Sequence, residues 1–132
     1  MKKRVSLDVK IWLRRVNYDM TTAKAMLKTK RYIYAIFMCQ QAVEKCFKAL
    51  LVFRGKEVLP IHNLRRLADL CEVIREKGPE ILVKYDFLSQ FYINARYKED
   101  IAKLGKGIDR KVVEQFISFS QGEIKWLRRK MR

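Results

Sequence analysis

The stretch from Tyr32 to Phe53 constrains this chain more than any other. Tyr32, Ile36, Cys39, Val43, Cys46, Leu50 and Phe53 recur in steps of four and three, the spacing of one face of an α-helix. Phe37, Met38, Phe47, Leu51 and Val52 add apolar side chains on its other faces. A helix apolar nearly all round is enclosed by neighbours or shared with a partner subunit. It does not read as a membrane span, because Gln40, Gln41, Glu44, Lys45 and Lys48 interrupt its centre and hydrocarbon tolerates few such groups. Gly55 is placed to end it.

The remaining segments supply the enclosure. Val9, Trp12, Val16, Met20, Ala23 and Leu27 form one stripe of a helix expected over about 8–28, with Lys10, Arg14, Asn17, Thr21, Lys24 and Lys28 on the opposite face. Residues 56–61 read as a loop after the central helix, with Pro60 blocking helix continuation. A third helix is expected over 63–77, closed by Gly78-Pro79, and a fourth over 80–97. Residues 98–108, polar and holding Gly105 and Gly107, read as a loop. Asp109 then caps a last helix reaching Arg129. No strand pattern competes. The fold class expected is all-α, an up-and-down bundle of four to five helices, forming a single domain over 1–132.

Charge and cysteine content narrow the environment. Thirty Lys and Arg against 14 Asp and Glu give a net charge of +16. Such a field draws polyanions, although it also serves simply to keep a helical surface soluble. Cys39, Cys46 and Cys71 include no CxxC pair, and His62 is the sole histidine. No tetrahedral zinc set can be assembled, so no metal and no cofactor is expected. Three apolar-site thiols point to a reducing, cytoplasmic location. The basic Met1–Arg4 is not followed by a signal-peptide apolar stretch, and no membrane association is expected.

Polar residues inside the central helix need partners, because buried polar groups are hydrogen-bonded. Glu44 and Lys48 lie at i and i+4, in the favourable order for an ion pair. With Gln41 they form either a network that pins helix packing or a dimer, or the wall of a ligand site. A second constellation is the basic termini: Lys2, Lys3 and Arg4, and Lys125, Arg128, Arg129, Lys130 and Arg132. These make one patch if the first and last helices are neighbours, with Trp126 and Tyr97 available to stack on bases.

The segment Gln40-Gln41-Ala42-Val43-Glu44-Lys45-Cys46-Phe47-Lys48-Ala49-Leu50-Leu51 resembles the QQA-x-EK-x-x-KALL signature of HEPN (higher eukaryotes and prokaryotes nucleotide-binding) domains. His62-Asn63-Leu64 with Leu67 is similar to the family's H-x-L-x-x-L, and Ala95-Arg96-Tyr97 to the ARY that closes its fourth helix. Trp12, Asp19, Ala23 and Leu27 match its first helix. The resemblance runs from about Val9 to Leu127 and rests on the order of these motifs.

That resemblance implies a helical bundle that forms a homodimer. It also implies a minimal nucleotidyltransferase as partner in a toxin–antitoxin module, and RNA or nucleotide as ligand. Several branches of the family are metal-independent ribonucleases with an Arg-x4–6-His motif. Here Gly55, Lys56 and Glu57 occupy the positions where that Arg would stand before His62, and Arg54 is separated from it by seven residues. Metal-free RNA cleavage needs a base and a cation on the phosphate; His62 with Arg96, or with Arg54, would supply both if the fold joins them. His62 and Arg96 are therefore the catalytic candidates, and Gln41, Glu44, Lys48, Arg54 and Tyr97 the nucleotide- or RNA-binding ones. His62 at a helix start would also lie beside free N–H groups suited to phosphate. The competing reading is a dimeric interaction module without catalysis.

Overall fold

A computed structural model describes residues 5–93 and 98–132. It contains six α-helices: α1 (Leu7–Lys28), α2 (Tyr32–Phe53), α3 (Leu64–Leu70), α4 (Pro79–Ile93), α5 (Lys98–Gly105) and α6 (Arg110–Arg129), with one 3-10 turn at Ile74–Glu76. No strand occurs among the described residues. The architecture is an all-α bundle with α2 at its centre, packed against α1, α3, α4, α5 and α6.

Burial follows the apolar pattern. Ala35, Ile36, Cys39, Ala42, Val43, Cys46, Phe47, Ala49 and Leu50 of α2 have no exposed surface. Val16 and Ala23 of α1, Leu64 and Leu67 of α3, Tyr85 and Leu88 of α4, and Val113 and Leu127 of α6 close over them. Phe47 meets the Tyr85 ring edge-on at 5.7 Å, a favoured aromatic geometry.

Helix boundaries have local causes. Ser6 and Asp109 cap α1 and α6 by accepting from Val9 N–H (3.3 Å) and Val112 N–H (2.9 Å). Three helices end in the same turn, in which the N–H two residues beyond the cap returns to a carbonyl five residues back: Arg31 to Met26, Lys56 to Leu51 and Val73 to Ala68. The left-handed residue of that turn is Gly55 after α2, but Lys30 after α1 and Glu72 after α3.

Two expectations are corrected here. The third helix, expected over 63–77, stops at Leu70 because Glu72 turns the chain left-handed (φ 59) before the 3-10 turn. Residues 98–108, expected as a loop, form α5 through Gly105. Leu104 and Ile108 pack against the core, and α5 lies so near α2 that a Cβ on Gly105 would sit 2.6 Å from Ile33 Cδ1. Glycine here permits close helix approach, not a loop. The fourth helix is described to Ile93; Ala95, Arg96 and Tyr97 lie outside the described residues, as do Lys2, Lys3 and Arg4.

The cysteines are core residues. The Cys46 thiol faces the Ile124 carbonyl at 3.9 Å and the Cys71 thiol the Phe47 carbonyl at 3.5 Å. Burial pushes Cys39 and Cys46 up to about 12, and Cys71 to about 11, from 9.0. Above pH 9 the unfolded chain releases thiol protons that the folded chain retains, so stability is full below that pH and lost as pH rises toward 11 and 12. Each thiol contributes a slope of about 1.4 kcal/mol per pH unit in that window. Urea unfolding across this range is expected to show the decline, and Cys39→Ala to make it shallower.

Candidate functional site

Because α2 is enclosed, each polar side chain it carries toward the core is met by a neighbour. Lys45 reaches Asp19 of α1 at 2.6 Å. On a different face, Gln40, Glu44 and Lys48 stand in steps of four and point toward the loop before α3. Glu44 Oε2 accepts from Lys48 Nζ at 2.9 Å, with both side chains buried. Glu44 Oε1 accepts from Gln40 Nε2 at 3.0 Å and lies 2.9 Å from His62 Nδ1. Gln40, fully buried, also donates to the His62 carbonyl at 3.0 Å and accepts from Gln41 Nε2 at 2.7 Å.

These bonds define the chemical state of the imidazole. A carboxylate already surrounded by donors only accepts, so the proton of the His62–Glu44 bond resides on Nδ1. Nε2 is then the nitrogen on the ring edge away from Glu44. The His62 side chain is 33% exposed, and its ring stacks on Tyr92 of α4 at 3.6 Å and 17°. The chain around it is fixed: Asn63 Oδ1 accepts from Arg66 N–H at 2.9 Å, Leu64 N–H donates to Ser89 Oγ at 3.0 Å, and Ser89 in turn bonds the Tyr85 carbonyl. Arg65 makes a two-point contact with Asp86 (2.7 and 3.0 Å) across the α3–α4 gap.

The structure therefore brings together four of the sequence candidates: His62, Glu44, Lys48 and, at the edge, Gln41. Arg54 is elsewhere. It lies ten residues beyond Glu44, about 15 Å along the helix, and its guanidinium bonds the Cys71 carbonyl, joining the ends of α2 and α3. Arg96 and Tyr97 lie outside the described residues. The expected free N–H groups beside His62 are partly occupied, since Leu64 and Arg66 already donate to Ser89 and Asn63, and α3 is only seven residues long. Trp126, expected to stack on bases, is covered by Lys77 at 3.5 Å and Lys130 at 4.7 Å.

Sequence reasoning missed Gln40 and Tyr92. The spacing Gln40–Glu44–Lys48 was a usable signal for the first; nothing local marks Tyr92 as the partner of a histidine 30 residues earlier. A second buried network was also missed. Glu123 of α6 accepts from the Tyr85 hydroxyl and pairs with Lys77 at 3.0 Å. Burial, reinforced by Glu123, holds the Tyr85 hydroxyl well above its ordinary range. Among the described residues no group of three His, Cys, Asp or Glu side chains converges as a metal set. No helix among them is long and apolar enough to cross a membrane.

The sequence profile of the HEPN domain matches residues 9–130. The chain belongs to the HEPN domain family. It is 28% identical over 96 residues to the Methanocaldococcus jannaschii protein named "Putative toxin MJ1304", a match covering 68% of this chain and 63% of that protein. The chain thus spans less than two thirds of that relative's length. Its fold is similar to the crystal structure of ST0689, an archaeal HEPN homologue (TM-score 0.73, 23% identity, 94% of this chain and 98% of that one). It is also similar to the crystal structure of TT1696 from Thermus thermophilus (TM-score 0.77, 24% identity, 92% and 97%).

The Glu44–Lys48 pair makes a stability prediction. Glu44→Ala leaves Lys48 buried without its counter-charge and is expected to cost about 3–5 kcal/mol. Replacing both, as Glu44→Leu with Lys48→Met, is expected to cost less than the single change. Urea titration of the two variants measures the difference.

Proposed function

We propose that this protein binds RNA or nucleotide at the His62–Tyr92 face, as the HEPN member of a toxin–antitoxin pair whose other member is a minimal nucleotidyltransferase. The observation that carries the reading is the His62 imidazole, oriented by Glu44, backed by Tyr92 and still one-third exposed. The contacts that satisfy buried Glu44 also hold the imidazole in one orientation while part of it stays open to solvent. The net charge of +16 favours a polyanionic ligand, and the toxin name of the M. jannaschii relative favours the module. In this reading the protein acts as a single domain over 1–132, forms a homodimer, and works in the cytoplasm, where its three free thiols stay reduced.

Filter binding with a short single-stranded RNA tests it. Wild-type protein is expected to bind at low salt and to lose affinity steeply as salt rises. His62→Ala is expected to weaken binding about tenfold, the scale of one lost charged or stacking contact, with helix content by circular dichroism unchanged. Equal loss of binding and helix content would reduce His62 to a structural residue. No binding at low salt would favour the interaction module.

The His62–Glu44 bond also favours a second reading, a metal-independent ribonuclease. A carboxylate that fixes the tautomer and orientation of an imidazole is the standard way to prepare a general base. In that reading Nε2 takes the 2′-OH proton, and the 2′-oxygen bonds the phosphorus as the P–O5′ bond breaks to leave a 2′,3′-cyclic phosphate. The imidazolium or water returns a proton to the 5′-oxygen, and Arg96 is the cation proposed to face the phosphate. Cleavage of structured RNA in EDTA, abolished by His62→Ala and strongly reduced by Glu44→Gln, is the expected outcome. Cleavage that survives both substitutions would rule it out.

A further inference from the structure

A second surface lies on the other side of the central helix. Cys46 faces α6 through Ile124, whereas Glu44, two residues earlier and roughly 200° around the helix, faces His62. The α1–α6 side is therefore distinct from the histidine cluster. There the two helices leave an open groove of about 620 Å³. Met20 and Ile124, nearly buried, form its floor. Its rims are polar stripes at helical spacing: Asn17, Thr21 and Lys24 from α1, and Gln121, Lys125 and Arg128 from α6. Arg128 reaches across to Asn17 Oδ1 at 3.4 Å, linking the two rims.

The charge of this groove is unbalanced in a specific way. Helices α1 and α6 carry four carboxylates: Asp8, Asp19, Glu114 and Glu123. Asp19 is buried against Lys45, Glu123 is buried against Lys77 and Tyr85, and Glu114 pairs with Arg110. Asp8 stands in the first turn of α1, at its far end from Lys24. Among the described residues no carboxylate pairs with Lys24, Lys125 or Arg128. Lys10, Arg14 and Lys28 continue the α1 stripe in both directions and are exposed, and no carboxylate among the described residues pairs with them. The rim thus offers several cations and side-chain amides with nothing among the described residues to neutralise them.

We propose that the α1–α6 groove holds the phosphodiester backbone of RNA. Lys24, Lys125 and Arg128 contact phosphates, and Asn17, Thr21 and Gln121 offer hydrogen bonds to phosphate and sugar oxygens. Such contacts position a nucleic acid without reading its sequence. Asn17 to Lys24 spans about 10 Å of helix, the length of a short run of backbone phosphates. The inference rests on the reading that the ligand is RNA. It adds a track for the backbone away from the histidine cluster, so that bound strand and reactive face are separate features.

The test compares three variants of the full chain in the same RNA filter-binding salt series: Lys24→Ala/Lys125→Ala/Arg128→Ala, a control Arg75→Ala/Lys84→Ala/Lys103→Ala of equal charge, and His62→Ala. The groove variant is expected to flatten the slope of log K against log salt by about 2 for single-stranded RNA, and to weaken binding about tenfold to a hundredfold at about 0.1 M salt. The control variant is expected to do much less. Equal losses in groove and control variants would assign the effect to the general field and overturn the proposal. An unaffected groove variant would overturn it too, and a simultaneous loss in His62→Ala would leave the RNA reading itself standing. No RNA binding by any protein, with polyglutamate bound by wild type but not by the groove variant, would assign the groove to an acidic protein partner and overturn both. Circular dichroism of each variant confirms that it folds.

Discussion

A carboxylate inside a helix that touches five others has no water to fall back on. Glu44 stands in that position, and its oxygens are met by Lys48, Gln40 and His62. The energetics explain why such a group is rarely left without its counter-charge: a buried charge stripped of its ion-pair partner costs several kcal/mol. The loop before α3 therefore docks where its histidine can complete the shell, and Gln40 holds the same loop by its backbone carbonyl. The interaction that satisfies the core is the one that presents the imidazole. Packing and candidate site are a single arrangement.

The same logic recurs at two other places. Asp19 with Lys45 joins α1 to α2, and Glu123 with Tyr85 and Lys77 joins α6 to α4 and to the turn beside it. Apolar stripes alone permit helices to slide by a turn at modest cost, because one methylene surface resembles another. A slide that parts Asp19 from Lys45 strands a charge. Breaking one of these bridges is costly, although intact they add little net stability over well-packed hydrocarbon.

The bundle was legible wherever periodicity is strong. The bounds of α2 follow from its stripe, and the last helix from Asp109 and the Val113–Leu127 pattern. Legibility failed where a turn uses an unusual residue or where glycine has a packing role. Nothing in Glu72 announces a left-handed residue, so α3 read as one long helix. Gly105 read as a loop signal, whereas it lets α5 approach Ile33. For the site, the polar run on α2 and the sole histidine were visible, and Glu44–Lys48 follows from helix geometry. The stacking of His62 on Tyr92 was not, since it depends on how α4 crosses the end of the loop and leaves no mark in either local sequence.

The excess of cations over carboxylates has an effect that reaches beyond the single chain. Thirty Lys and Arg stand against 14 Asp and Glu, and Asp19, Glu44 and Glu123 are buried, so an approaching molecule meets a net positive surface. Two copies of such a chain repel one another at a distance, and dissolved ions relieve that repulsion. Dissolved ions also compete for any polyanion held on the same surface. Ionic strength therefore pushes self-association and polyanion capture in opposite directions, and the ionic conditions of the cell set the balance between a protein that meets its own kind and one that holds a charged strand.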